Sequence, residues 1–69
     1  AETNQDSLRE ATALLNIGVV YSNLNELQRS IDFYNQSLEL CQHLEYIQCI
    51  GLSFLNISEV YENMDSLDK

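Results

Sequence analysis

Apolar residues recur at intervals of three and four in three successive stretches of this 69-residue chain. That interval places them on one face of an α-helix. We therefore predict helices over residues 7–23, 26–44 and 47–63, with residues 65–69 as the start of a truncated fourth helix. The apolar faces consist of Leu8, Ala11, Leu14, Leu15, Gly18, Tyr21 and Leu24, then Leu27, Ile31, Tyr34, Leu38 and Cys41, then Ile50, Phe54, Ile57, Tyr61 and Met64.

Polar segments separate these stretches and supply candidate caps. Ser7 followed by Glu10 forms a capping box, which favours a first helix starting at Ser7. Asn25, with Gln28 three residues later, is predicted to cap the second helix, and Asp65 or Ser66 the fourth. Turns this short join antiparallel helices, so the prediction is an all-α fold of antiparallel helix hairpins.

The chain contains an internal repeat. The segment LLNIGVVYSNLNEL at 14–27 returns forty positions later as FLNISEVYENMDSL at 54–67. Helical periodicity alone would match only apolar positions, yet polar Asn16 and Asn23 also recur, as Asn56 and Asn63. A fixed period in this range indicates a stacked array of helix pairs.

These positions resemble the tetratricopeptide repeat family. The packing residues of its two helices correspond here to Leu14, Ile17, Gly18 and Tyr21, followed by Ser30, Tyr34 and Ser37. Departures are Leu14 where tryptophan is usual, serine for alanine twice, and Gln42 where proline is common. The period of 40 residues instead of 34 is similar to an extended subclass. The resemblance implies a superhelical array of about one and a half repeats, with Gly18 at a close crossing after the core residue Ile17.

The resemblance also implies a function, a non-catalytic scaffold that binds a peptide or helix of a partner in a concave groove. Asn16 and Asn56 stand where the family's groove asparagines hold peptide backbone, although they could instead bond within the array. Because Glu59 and Glu62 stand in the groove and no lysine or arginine does, a basic or apolar partner is expected. The matching groove positions are Thr12, Leu15, Asn16, Val19, Asn23, Leu52, Leu55, Asn56, Glu59 and Glu62.

Charge narrows the partner classes further. The net charge is −8, which argues against a nucleic acid or an anionic membrane surface as the ligand. No apolar run approaches the roughly 20 residues of a membrane span. The first residues are polar, so no secretory signal is visible, and the missing initiator methionine suggests a processed or excised piece. A cytoplasmic location is the prediction.

Residues with catalytic or metal-binding chemistry are few and scattered. Cys41 and Cys49 lack zinc-site spacing, and we expect reduced, packed thiols, with a disulfide across the second turn as the alternative. His43 is the only histidine and is expected at a helix end. Asn35 and Asn56 match glycosylation sequons, read here as chance matches within helices. The sequence therefore predicts no enzyme, no cofactor and no metal site.

Two other architectures stay open. One and a half repeats would leave an apolar flank of Leu52, Phe54, Leu55 and Ile57, so the chain could instead be a self-associating, possible homodimer module excised from a larger array. Alternatively, the three apolar stripes could close on one centre as a plain three-helix bundle.

Overall fold

A computed structural model describes the backbone of residues 2–68 and the side chains of residues 5–65. It has three α-helices, α1 Glu2–Asn23, α2 Leu27–His43 and α3 Ile47–Asp68. This confirms the predicted all-α class with antiparallel helix hairpins.

The two turns share one hydrogen-bond pattern. In the first, the backbone N–H of Asn25 donates to Ser22 and that of Glu26 donates to Tyr21. In the second turn, the backbone N–H of Glu45 donates to Gln42 and that of Tyr46 donates to Cys41. Asn25 and Glu45 have φ of 68° and 57°. α1 and α2 therefore each end in a Schellman motif with a left-handed residue.

This geometry corrects the predicted cap at Asn25. Asn25 terminates α1 instead of starting α2, because a residue in the left-handed region belongs to the helix C-terminus. Glu26 is the N-cap residue of α2, and it makes no side-chain capping hydrogen bond.

Two predicted helix ends are also wrong. α1 begins at Glu2 and not at Ser7, because neither glycine nor proline interrupts the residues before Ser7. α3 continues through Asp68, so the predicted turn at Asp65 and the fourth helix are not formed. The absence of glycine and proline lets α-helical hydrogen bonds continue there. Lys69 lies outside the described residues.

Serine hydroxyls hold α2 against the backbone of α1. Ser30 Oγ donates to the carbonyl of Gly18 and Ser37 Oγ to that of Ala11, each at 2.8 Å. The later serine meets the earlier residue of α1, so the helices are antiparallel. At Gly18 the approach is closest, because a β-carbon there would lie 2.6 Å from the ring of Tyr34. Small residues therefore set the spacing of this hairpin.

Two clusters form the core. The larger contains Leu27, Ile31, Tyr34 and Val60, with Leu15, Ile57 and Met64 packed against it. The smaller contains Ala11, Cys41 and Cys49, with Leu40 and Ile50 beside it.

The predicted apolar row of α3 is only partly correct, since Ile50, Ile57 and Met64 pack against the core clusters and the other two members do not. The side chains that α3 buries are Cys49, Ser53 and Val60, whereas Phe54 and Tyr61 are exposed. Ile17, which we predicted to lie in the core, is likewise 39% exposed, on the outer side of α1. The predicted apolar stripe of α3 spans two sides of the helix, and α2 covers only one.

The arrangement of the helices distinguishes an array from a bundle. α2 packs on both neighbours, while α3 packs mainly on α2 and touches α1 only lightly. In the described part of the chain, the three helices form an elongated stack and do not surround one centre. The plain three-helix bundle is therefore wrong.

Cys41 and Cys49 form a disulfide, with their Cα atoms 5.8 Å apart. The expectation of reduced thiols is wrong, because the Schellman turn brings the end of α2 beside the first turn of α3. Both cysteines are buried. The cytoplasmic location stays a prediction, and it no longer has free thiols as its support.

Candidate functional site

The predicted groove residues of α1 recur at three and four positions along one side of the helix. Thr12, Asn16 and Asn23 are exposed, and the side chain of Val19 is 38% exposed. Leu15 is half-buried because it packs against the larger core cluster. This side of α1 is thus mostly polar, with one aliphatic side chain anchored in the core.

The predicted groove residues of α3 make a more apolar and acidic surface. Leu52 is 52% exposed and Leu55 56%, while Asn56 is half-buried. Glu59 and Glu62 are exposed one and two turns further along α3. Aliphatic and carboxylate side chains therefore share one side of this helix.

α1 and α3 meet at the larger core cluster. Leu15 of α1 and Ile57 of α3 both pack against it. The two rows of groove residues lie on the sides of α1 and α3 that α2 does not cover. Recessed surfaces among the described residues include one between Leu8 and Tyr46 and two along Gln36 and Glu39 of α2, and no groove residue lines these three. Most groove residues are exposed, so the groove rows form an open surface.

The two groove asparagines differ in environment. Asn16 is exposed and Asn56 half-buried. Among the described residues, the interhelical side-chain hydrogen bonds come from Ser30 and Ser37 and not from either asparagine. Neither amide therefore holds the described helices together, and an amide can donate and accept at once, as a peptide bond requires.

Arg29 lies on α2, away from the groove rows. Arg29 of α2 pairs with Glu26 at 3.8 Å, with both side chains largely exposed. Its guanidinium carbon also lies 5.9 Å from the centre of the Tyr21 ring, which stacks on Phe33 at 5.4 Å. These contacts hold the turn between α1 and α2. No lysine or arginine occupies a groove position beside the carboxylates of Glu59 and Glu62.

Few side chains with catalytic or metal-binding chemistry come together among the residues that the structure describes. His43 lies exposed in the last turn of α2, and no group of three or more histidine, cysteine, aspartate or glutamate side chains is placed to hold a metal ion. Over the same residues, no helix combines the length and the apolar character needed to cross a membrane.

One surface was missed from the sequence. α3 has a second row of exposed residues, beside the row that α2 covers. Its members are Ile47, Gly51, Phe54, Ser58 and Tyr61. We call it the open row of α3. Its signal was present in the repeat, because each position lies forty residues after one that faces α2 in α1.

Comparison with protein families supports the interpretation of the helices. Residues 11–43 match the family model of the tetratricopeptide repeat. The matched segment covers the α1–α2 hairpin with Gly18, Ser30, Tyr34 and Ser37. Comparisons with curated proteins and with solved structures gave no match. The extended 40-residue subclass stays a prediction. The matched segment and the stacked antiparallel helices together identify residues 11–43 as a tetratricopeptide repeat.

Proposed function

We propose that the chain is a non-catalytic scaffold whose groove rows bind a basic or apolar peptide of a partner protein. Tetratricopeptide repeats generally mediate protein–protein interactions and are typically non-catalytic modules. The choice of ligand is this chain's own feature and comes from the side chains of α3.

The observation that carries the proposal is the pairing of exposed Leu52 and Leu55 with exposed Glu59 and Glu62 on one side of α3. Burial of the leucines against apolar ligand atoms would supply affinity. The carboxylates would steer a positively charged ligand and disfavour an acidic one. Asn16 and Asn56 would bond to peptide backbone irrespective of its side chains.

The test is a titration with two peptides of equal length and hydrophobicity, one basic and one acidic. The basic peptide should bind more tightly, and its affinity should fall with added salt. Substituting Glu59→Gln together with Glu62→Gln should weaken it by about two- to tenfold, the range for exposed charge pairs. Equal binding of the two peptides would contradict the proposal.

A matched control separates groove charge from net charge. Asp32 and Glu39 are exposed on α2, outside the groove rows. Asp32→Asn with Glu39→Gln removes the same two charges, so long-range attraction falls equally. Only the groove variant should lose the additional short-range affinity. If both double variants weaken the basic peptide alike, the interaction is a general effect of the chain's negative charge.

Self-association is the second candidate function. It is favoured by the exposed outer side of α1, where Val20 is 55% exposed beside Ile17, and by Leu24 in the following turn, which is 64% exposed. Two copies could bury these residues against each other. Light scattering at two concentrations tests this, with Val20→Lys as the disrupting variant. A monomer at the higher concentration would refute self-association.

A further inference from the structure

We propose that the ligand of the groove is an extended peptide with two separate anchors, one aromatic side chain and one pair of basic side chains. The basic side chains face Glu59 and Glu62, and the aromatic side chain enters a recess at the start of the groove. The inference rests on the proposed function and adds the spacing of the ligand's residues. We call the recess the Tyr46 recess, and it is lined by Gln5, Leu8, Leu44 and Tyr46.

The Tyr46 recess has the size and the lining that an aromatic ring requires. Its volume is about 200 Å³, and a cavity on the order of 150 Å³ with an apolar lining holds a benzene ring. Leu8 and Leu44 are half-buried and Tyr46 is 42% exposed, so the described residues leave part of this apolar surface uncovered. Burial of a ligand ring against it would supply affinity.

The recess continues the groove row of α1. Gln5 and Leu8 precede Thr12 by seven and four residues, so the three side chains lie on one side of the helix. Leu44 and Tyr46 belong to the turn between α2 and α3. A peptide that lies along the groove rows therefore reaches the recess without leaving the groove side of α1.

The recess and the groove carboxylates lie at opposite ends of the groove. α1 and α3 run in the same direction, because each is antiparallel to α2. Tyr46 directly precedes α3, and Glu59 and Glu62 follow Tyr46 by 13 and 16 residues. At about 1.5 Å per residue of helix, these carboxylates lie about 20 and 24 Å from the recess along α3. The aromatic and basic anchors of the ligand must span the same distance.

The asparagines between the two ends favour an extended ligand over a helical one. Asn16 and Asn56 lie beyond the recess and before the carboxylates along the two helices. An α-helix uses most of its backbone N–H and C=O groups in its own hydrogen bonds, whereas an extended peptide leaves them free for these amides. Because an extended chain advances about 3.3 Å per residue, the aromatic residue and the basic pair should stand about six or seven residues apart.

A series of peptides of equal length tests this spacing. Each peptide carries two adjacent lysines and one phenylalanine, placed three, six or twelve residues from the lysines and on either side of them. A matched peptide has alanine in place of each phenylalanine, and the ratio of the two affinities is the aromatic gain. Titration into the full chain, followed by fluorescence anisotropy, should show an aromatic gain of about tenfold or more at a spacing of six, the effect of burying one aromatic side chain.

The dependence of the aromatic gain on spacing decides between ligand conformations. The gain should fall at a spacing of three, because the ring and the lysines then cannot occupy both ends of the groove together. It should also be smaller at twelve than at six, because the extended peptide must then form a loop between its anchors. A gain that is largest at twelve would indicate a helical ligand, since about thirteen helical residues span 20 Å, and would overturn the extended conformation.

Chain variants locate the aromatic anchor. Gln5→Trp places a large ring at the exposed edge of the recess and should remove most of the aromatic gain. Tyr46→Ala removes one wall of the recess and should lower the gain by about threefold or more. Gln28→Trp is the matched control, because it places the same ring on an exposed position of α2 outside the recess, and it should leave the gain intact. Circular dichroism confirms that each variant is folded.

The outcomes separate failure of this inference from failure of the proposed function. If the lysine peptides bind more tightly than acidic counterparts but phenylalanine adds nothing at any spacing, the two-anchor ligand is wrong and the charge-selective groove stands. If phenylalanine strengthens binding equally at every spacing and charge has no effect, both proposals are wrong. An equal loss of the aromatic gain in Gln5→Trp and Gln28→Trp would show a non-specific effect and would also overturn the inference.

Discussion

Replacing Gly18 by alanine is the sharpest test of the helix crossing. A β-carbon at this position would lie 2.6 Å from two ring carbons of Tyr34 and 3.2 Å from the carbonyl oxygen of Ser30. Tyr34 is only 3% exposed, so its ring has little room to retreat. The substitution therefore forces α1 and α2 apart or displaces the ring within the larger core cluster.

Two opposing free energies set the magnitude. Alanine stabilises a helix interior by up to about 1 kcal/mol relative to glycine. Overpacking of a core contact costs about 1–3 kcal/mol. The overlap at Gly18 involves a buried ring and a backbone carbonyl, neither of which is the end of a flexible chain, so the cost should exceed the gain. We expect Gly18→Ala to lower the free energy of unfolding by up to about 2 kcal/mol.

Gly51→Ala is the matched control, because it makes the same change inside a helix with nothing within 4 Å of the new β-carbon. It should raise the free energy of unfolding by about 0.5–1 kcal/mol. Urea denaturation followed by circular dichroism measures both variants under the same conditions. If Gly18→Ala stabilises the chain as much as Gly51→Ala does, the close crossing at Gly18 is wrong.

Two further stability predictions concern buried polar groups and the disulfide. Ser53 Oγ is buried without a hydrogen-bond partner, so Ser53→Ala should stabilise the chain by about 1 kcal/mol, whereas Ser37→Ala, which removes a bond to α1, should destabilise it by a similar amount. Equal effects of the two serine variants in urea denaturation would contradict this contrast. Reduction of the Cys41–Cys49 bond, which spans a separation of 8 residues, should lower the free energy of unfolding by about 2–3 kcal/mol. An unchanged denaturation midpoint after addition of a reductant would contradict it.

The first hairpin was the most predictable part of the fold. Its apolar positions, small serines and Gly18 all indicate the same packing, and the structure buries Ser30, Tyr34 and Ser37 together. The local signals agree with each other there because each side chain has a neighbour within the chain. When local preferences, the apolar pattern and the packing agree in this way, the structure can be predicted from the sequence.

The helix ends were less predictable, and the reason is energetic. Capping preferences are worth about 1 kcal/mol, while continuing a helix through residues without glycine or proline costs little. Ser7 was therefore a poor start signal for α1. Glu45 takes a left-handed conformation with φ 57°, which no propensity of glutamate favours. The packing of α3 on α2, aided by the disulfide, determines that turn.

The groove and the open row show what periodicity can and cannot reveal. Spacing of three and four finds an apolar face, but α3 has two such faces, and periodicity does not say which one a neighbour covers. Burial depends on the neighbour, so Phe54 and Tyr61 were assigned to the core while Ser53 was overlooked. The repeat does not resolve the choice, because the α3 residues that correspond to the α2-facing row of α1 are exposed, and α2 covers the face with Cys49, Ser53 and Val60.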